Sequence, residues 1–434
     1  MLLMTAPARP AAAGRRQTVV CVAGRHVLDV MSAMGIRTIL LDEEIPWDVT
    51  CAVDLPVEVD LTDWPACEHV LRRLLARTGL SVDAVVSLRD SHVPLAGFLA
   101  ARLGAKGMSL SAALNCNDKA RMRRALDGAG IANPRFALAL EPKEAERLGE
   151  AVGFPLVLKR TRGAGGGAVR LCQGQQALIA AIADLTANTG PAELLAEQYL
   201  TGPEYAVQTV TLAGVTEILS VLRARIGPPP RFAETGYDCP AGLSPHQGAE
   251  IDNLVRAALS AVGLDHGVAH VQVRYTSDGP RIVEINPRPP GGVLAHVTHV
   301  VSGVDMVRAG VEAALGLSLT RSAPCASHVL YRCVVFDRPG YLSYEAGALS
   351  EQQGAGGDPL APIVEVDASP GDLVLAVDHP DGGVYGRVVL FGDSDADLAA
   401  QYRAVMARLR LEIRQARPSP IPFRARQPAE CDSP

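Results

Sequence analysis

Short, almost uninterrupted apolar runs separated by helical periodicity fill the first hundred residues. One run covers 19–23 and ends at Gly24. A helical stretch follows to Met34, and a second run covers 38–41 with Asp42 at its end. A third run covers 84–87 and leads into a helical segment over 94–103. Strands alternating with helices predict a parallel α/β domain over about residues 17–112. Gly24 stands without the other glycines of a dinucleotide fingerprint, so it reads as a packing position.

The pattern changes beyond 112. A helix is predicted over 117–125 with Asp118 as its N-cap, and Gly130 and Pro134 break the chain after it. A strand over 156–159 runs into the glycine-rich stretch 162–169, and a helix follows over 176–185. Residues 194–200 and 204–211 read as strands about the turn Gly202-Pro203, and 225–239 as a long loop around three prolines. An amphipathic helix over 249–262 ends at Gly263. Strands over 268–275 and 281–285 flank Ser-Asp-Gly-Pro, a strong turn signal. The chain turns at 289–292, and a helix covers 306–315. Residues 325–400 return to strands, with 376–379 turning at 380–383 into 384–391, and a helix covers 396–413. The predicted organisation is a disordered arm (1–16), the α/β domain (17–112), a central domain (113–320), a C-terminal lobe (321–416) and a Pro- and Arg-rich disordered tail (417–434).

Composition narrows the function. Of 434 residues 48% are hydrophobic and 20% charged, with net charge −6, which gives no reason to expect nucleic acid or an anionic membrane as partner. No apolar run approaches the ~18–20 residues of a membrane helix, and the first residues lack the charged region and long apolar stretch of a secretory leader. The expected location is the cytoplasm. Nine cysteines are scattered without metal-ligand spacing, as expected of reduced thiols packed in cores.

Two segments carry candidate chemistry. Lys159, at the end of a strand, is followed by Gly163, Gly165, Gly166 and Gly167. Such glycines let a backbone fold closely over phosphates, and the lysine can reach phosphate oxygens. The stretch lacks the Gly-Lys-Ser/Thr of a P-loop, and a flexible linker has the same composition. The second segment is the hairpin. Gln272 and Glu284 lie on its two strands, and Asn286 sits two positions beyond Glu284, on the same side. Three oxygen-bearing side chains on one face suit a hard divalent cation that bridges phosphates. Arg288, two positions further, offers a planar fork for a phosphate or carboxylate.

In order along the chain stand Asn117-Asp118-Lys119, Phe154-Pro155 through Lys159, the glycine loop, Glu197-Gln198-Tyr199-Leu200, Gly202-Pro203-Glu204-Tyr205, His270 to Gln272, and Val283 through Arg288 with Gly291-Gly292. This set, over about residues 117–317, resembles the ATP-grasp superfamily, the fold of carboxylate–amine ligases and biotin carboxylase. The resemblance implies an α/β fold with a two-lobed ATP-grasp core, a strand-rich C-terminal lobe, and ATP with two magnesium ions, for which manganese can substitute. It implies that Lys119 and Lys159 hold ATP phosphates under the glycine loop. It also implies that Glu197, Gln198, Tyr199 and Leu200 form the hinge at adenine and that Glu204 meets the ribose. Magnesium falls to Glu284, Asn286 and Gln272, and Arg288 stabilises an acyl phosphate.

Many relatives carry glutamate where this chain has Gln272. The neutral amide keeps a carbonyl oxygen for magnesium but brings one charge fewer, so Gln272→Glu is expected to tighten metal binding. The segment Phe232-Ala233-Glu234-Thr235-Gly236 and the region 325–415 look like parts of L-amino-acid ligases. By that likeness Glu234, Arg288, Gly291 and Gly292 would face the substrates, Glu234 meeting an ammonium group. The implied activity joins a small-molecule carboxylate to an amine, free or on a carrier protein, and the homodimer is a common state of such folds. Purine-pathway ligases, a biotin-carboxylase-like enzyme and an inactive nucleotide-binding subunit are the alternatives.

Overall fold

The computed structural model describes residues 15–139, 144, 146–162, 169–187, 193–229, 231–344, 358–379 and 381–414. Residues 1–14 and 417–434 of the expected disordered ends and the glycine loop, with Gly163, Gly165, Gly166 and Gly167, lie outside the described residues, whereas Arg16, expected in the arm, is placed and donates to the Gly35 and Ile36 carbonyls.

The first block is a parallel sheet of β1 (Thr18–Val22), β2 (Arg37–Asp42), β3 (Leu55–Glu58) and β4 (Ala84–Val86), in the order β3-β2-β1-β4. Its helices are α1 (Leu28–Ala33), α2 (Trp47–Ala52), α3 (Trp64–Thr78) and α4 (Val93–Leu103). The unbroken apolar run of β1 is explained by burial on both faces. Val20 and Val22 pack with Leu71, Leu95 and Leu99, while Val19 and Cys21 pack with Met31 and with residues of a later helix.

Two short helices, α5 (Leu110–Asn117) and α6 (Lys119–Gly128), lead into a small antiparallel sheet. The Asp118 side chain caps α6 by accepting from the Ala120 and Arg121 amides. The sheet contains β5 (Phe136–Ala139), β6 (Leu156–Arg160), β7 (Val169–Cys172) and β8 (Leu194–Gln198), in the order β5-β8-β6-β7. Helices α7 (Leu148–Val152) and α8 (Gln175–Ala187) bury its outer face against Leu156, Leu158 and Ala196.

The large sheet has eight strands, all pairing antiparallel, in the order β13-β12-β9-β10-β11-β14-β18-β16. They are β9 (Glu204–Leu212), β10 (Val215–Ile226), β11 (Glu234–Cys239), β12 (Gly267–Thr276), β13 (Gly279–Asn286), β14 (His328–Cys333), β16 (Ile363–Val366) and β18 (Gly386–Gly392). β15 (Gly340–Ser343), β17 (Leu373–Val374) and β19 (Glu412–Arg414) form a separate small sheet. The remaining helices are α9 (Pro245–Val262), α10 (Leu294–Ser302), α11 (Met306–Leu315) and α12 (Asp395–Leu409). α11 supplies Met306, Ala309 and Val311 to the core under β1 and so joins the first block to the large sheet. β14, β16 and β18 extend the sheet that holds the candidate site.

Three expectations need correction. The loop over 225–239 ends in a strand, because 234–239 pairs with both β10 and β14. Residues 376–379 form turns rather than a strand against 384–391, and β18 pairs with β14 and β16 instead. The last helix stops at Leu409, where Arg410 takes a left-handed conformation with φ 47°, and 412–414 becomes a strand on β15. A further helix, Leu294–Ser302, for which the sequence carried no expectation, forms although its Val and Thr residues favour strands. Burial of Leu294, Val297 and Val300 in the core over the large sheet outweighs that preference. The cysteines divide: Cys21, Cys67, Cys116 and Cys172 are buried, whereas Cys51 and Cys325 are exposed.

Candidate functional site

The hairpin of β12 and β13 sets the geometry. Gln272 stands directly across from Glu284 and His270 across from Asn286, with a register shift after Gln272. Gln272, Glu284 and Asn286 therefore share one face. Among the described residues no group of three His, Cys, Asp or Glu side chains is arranged for a metal, and two of these three donors are amides. The donor set is all oxygen, which fits a hard cation such as magnesium rather than zinc.

Lys119 begins α6, and its amide donates to the Thr161 carbonyl at 2.9 Å, tying the helix to the end of β6. Its ammonium lies 2.9 Å from Glu284 Oε1. Burial pushes the Glu284 carboxyl up, but Lys119 and Lys159 outweigh it and hold the group below the usual carboxylate range. Glu284 is thus charged at neutral pH, and cations already face it.

Lys159 points from β6 into a buried triad. Its Nζ is 2.7 Å from Glu197 Oε2, and Arg123 Nε donates to Glu197 Oε1 at 2.7 Å. Arg123, fully buried, also donates to the Ile282 and Val283 carbonyls at 3.0 and 2.7 Å. One guanidinium thus joins α6, β8 and β13. Burial alone would raise the Glu197 carboxyl, yet Arg123 and Lys159 pull it down to about 2. The side chain of Glu197 is committed to this triad, and Gln198, Tyr199 and Leu200 continue the connection to β9.

A folded value below the unfolded one means that Glu197 stabilises the fold fully above the ordinary value of 4.5. That contribution is lost as pH falls from there towards about 2. Glu197→Gln leaves Arg123 buried with a neutral partner and is expected to cost ~3 kcal/mol in urea unfolding. A loss below about 0.5 kcal/mol would show that the triad does not hold the lobes together.

Glu204 is buried against Arg274, which also donates to the Leu200 carbonyl at 3.2 Å. Arg288 leaves the end of β13 and donates from Nε to Asp90 Oδ2 at 2.6 Å and from Nη1 to the Pro289 carbonyl at 2.8 Å. Asp90 comes from the first block, just before α4. Burial raises its carboxyl, and Arg288 only partly offsets this. His270 is buried beside Gln208 at 2.9 Å, and burial with the nearby Arg288 lowers its ring to about 4, so it stays neutral.

Glu234, at the start of β11, accepts from Gln272 Nε2 at 2.9 Å and is also hydrogen-bonded to Tyr237. Burial raises its carboxyl, with the charges of Glu204 and Glu284 adding to the rise. Gly291 and Gly292 turn the chain between β13 and α10, Gly292 at φ 57°. A cavity of about 260 Å³ near the hinge is lined by Arg135, Gln198, Ser277, Asp278 and Arg281 among others. None of Lys119, Lys159, Gln272 or Glu284 lines it. Sequence reading missed Arg123, Asp90 and Tyr237.

Among the described residues no helix is long and apolar enough to cross a membrane. The sequence profile of the ATP-grasp domain family matches residues 152–297. The chain is 26% identical over 332 residues to the uncharacterized protein y4rH of Sinorhizobium fredii, covering 75% of this chain and 68% of that one. It is 36% identical over 275 residues to carnosine synthase 1 of Gallus gallus, covering 58% of this chain and 29% of that protein. The match thus spans less than a third of the carnosine synthase. A solved L-amino acid ligase from Bacillus licheniformis superposes with a TM-score of 0.73 at 22% identity, over 93% of this chain and 100% of that one. The profile match thus gives residues 152–297 as an ATP-grasp domain, and the superposition shows that the chain shares the overall fold of that ligase structure.

Proposed function

We propose that the protein is an ATP-dependent carboxylate–amine ligase that forms an amide or peptide bond through an acyl phosphate and releases ADP and phosphate. The observation that carries this reading is the placement of Lys119 against Glu284, across from Gln272, at the meeting of α6, β6 and the β12–β13 hairpin. The names of two similar proteins, a carnosine synthase and an L-amino acid ligase, support amino acids or a related metabolite as substrates.

A carboxylate resists attack by an amine because it would have to expel an oxide-like group. Phosphorylation by ATP turns that oxygen into a leaving group, and catalysis of the transfer is mainly positioning and charge compensation. In this reading Lys119 and Lys159 hold the phosphates, the glycine loop closes over them, and the hinge 197–200 holds adenine with Glu204 near the ribose. Glu197 acts by keeping Lys159 in place. Magnesium, held by Glu284, Asn286 and the Gln272 carbonyl, would offset phosphate charge. Arg288, oriented by Asp90, faces the developing acyl phosphate, and Gly291 and Gly292 leave room for substrate beside it.

The test is ADP release over pairs of amino acids, with mass spectrometry of the products. ADP release that requires both a carboxylate and an amine, with an amide product, supports the proposal. Nucleotide binding without any acid- and amine-dependent turnover contradicts it.

A further inference from the structure

We propose that Glu234 is a positioning residue for the metal site: it holds the Gln272 amide so that the carbonyl oxygen is left for the cation. This role rests on the metal reading proposed above.

A carboxylate can only accept hydrogen bonds, whereas a glutamine amide donates on one side and accepts on the other. Glu234 Oε1 lies 2.9 Å from Gln272 Nε2, so the donor side of the amide is taken up there. Oε1 of Gln272 is thereby turned away from Glu234. Gln272 is paired across the hairpin with Glu284, where opposed side chains come closest. An unheld amide would have to be turned oxygen-first as the cation binds. Glu234 removes that need.

Glu234 is itself held. β11 is separated from β12 by β9 and β10 in the sheet. The approach follows an irregularity of pairing between Arg225 and Ile226, and the preceding loop is anchored by Phe232, whose ring centroid is 5.8 Å from that of Tyr199. The Tyr237 hydroxyl bonds the same carboxylate. Glu234 supplies a carboxylate beyond the Gln272 amide, across the 2.9 Å hydrogen bond, where glutamine alone brings no charge. Outer partners of this kind set metal affinity by ~10–100-fold.

The arrangement reverses the expectation drawn from charge alone. Gln272→Glu places two carboxylates where an amide and a carboxylate now share a hydrogen bond, so it is expected to weaken metal binding rather than tighten it. Combining Gln272→Glu with Glu234→Gln restores one amide and one carboxylate with the roles exchanged.

Manganese binding to the full chain with a non-hydrolysable ATP analogue, followed by electron paramagnetic resonance, tests this without turnover. Glu234→Gln alone and Gln272→Glu alone should each raise the manganese dissociation constant by ~10-fold. The double exchange should return it to within about 3-fold of the parent, a rescue that simple loss of packing would not give. Tighter binding by Gln272→Glu alone, or an unchanged constant in Glu234→Gln while the parent binds normally, would overturn the role of Glu234 only. Absence of nucleotide-dependent manganese binding in the parent would overturn both this role and the metal reading beneath it.

Discussion

Glu284→Gln is expected to lower turnover by ~10³-fold or more, about 4 kcal/mol of transition-state stabilisation. Glu284 is the one carboxylate among the three donors on the hairpin face, and Lys119 and Lys159 keep it ionised. The substitution preserves shape but removes the charge that would hold magnesium and that now pairs with Lys119 at 2.9 Å. Phosphate charge would then lack its main counterweight. The fold should survive, because Glu284 is partly exposed and the strand beneath it is anchored by the buried Ile282 and Ile285. Steady-state ADP release at millimolar magnesium, with thermal unfolding as the control, measures this. Near-normal activity in a folded variant would remove Glu284 from the proposed site.

Arg288→Lys is expected to lower the turnover number by ~10²-fold while changing ATP affinity much less, as for loss of one bidentate contact worth about 2.7 kcal/mol. The guanidinium is planar; its Nε donates to Asp90 at 2.6 Å and its Nη1 to the Pro289 carbonyl at 2.8 Å, and these two contacts aim the N–H groups that remain. A lysine keeps the charge but cannot bond Asp90 through one edge while offering a fixed fork through the other. Since the proposed partner of Arg288 is the phosphoryl group in transit, the loss should fall on turnover rather than on nucleotide binding. Parallel measurement of kcat and of ATP dissociation separates the two, and an equal loss in both would place Arg288 in ground-state binding.

The fold was legible where local pattern and tertiary environment agree. The apolar run of β1 is buried on both faces, and Ser-Asp-Gly-Pro does turn the chain between β12 and β13. The period of two puts Glu284 and Asn286 on one side, but Gln272 joins that face only through the register shift after it, which no local signal marks. Elements decided by distant packing were not legible. α10 is rich in β-branched residues and is helical because its apolar face is covered, and β11 forms because strands on both sides of it pair with it. The same holds for individual side chains. Arg123 is one of three arginines in α6, and nothing local marks it as the one that is fully buried. Asp90 meets Arg288 across 198 positions of chain, which no short motif can encode. Glu234 was visible as a candidate but not as the partner of Gln272, since that contact depends on how the chain enters β11.

The central claim is that the substrate carboxylate itself is phosphorylated. It is tested most directly with a substrate whose carboxylate carries oxygen-18, by following the label during amide formation. One labelled oxygen should appear in the released phosphate, with ADP as the nucleotide product. AMP with pyrophosphate, or phosphate free of label while amide accumulates, would contradict the account.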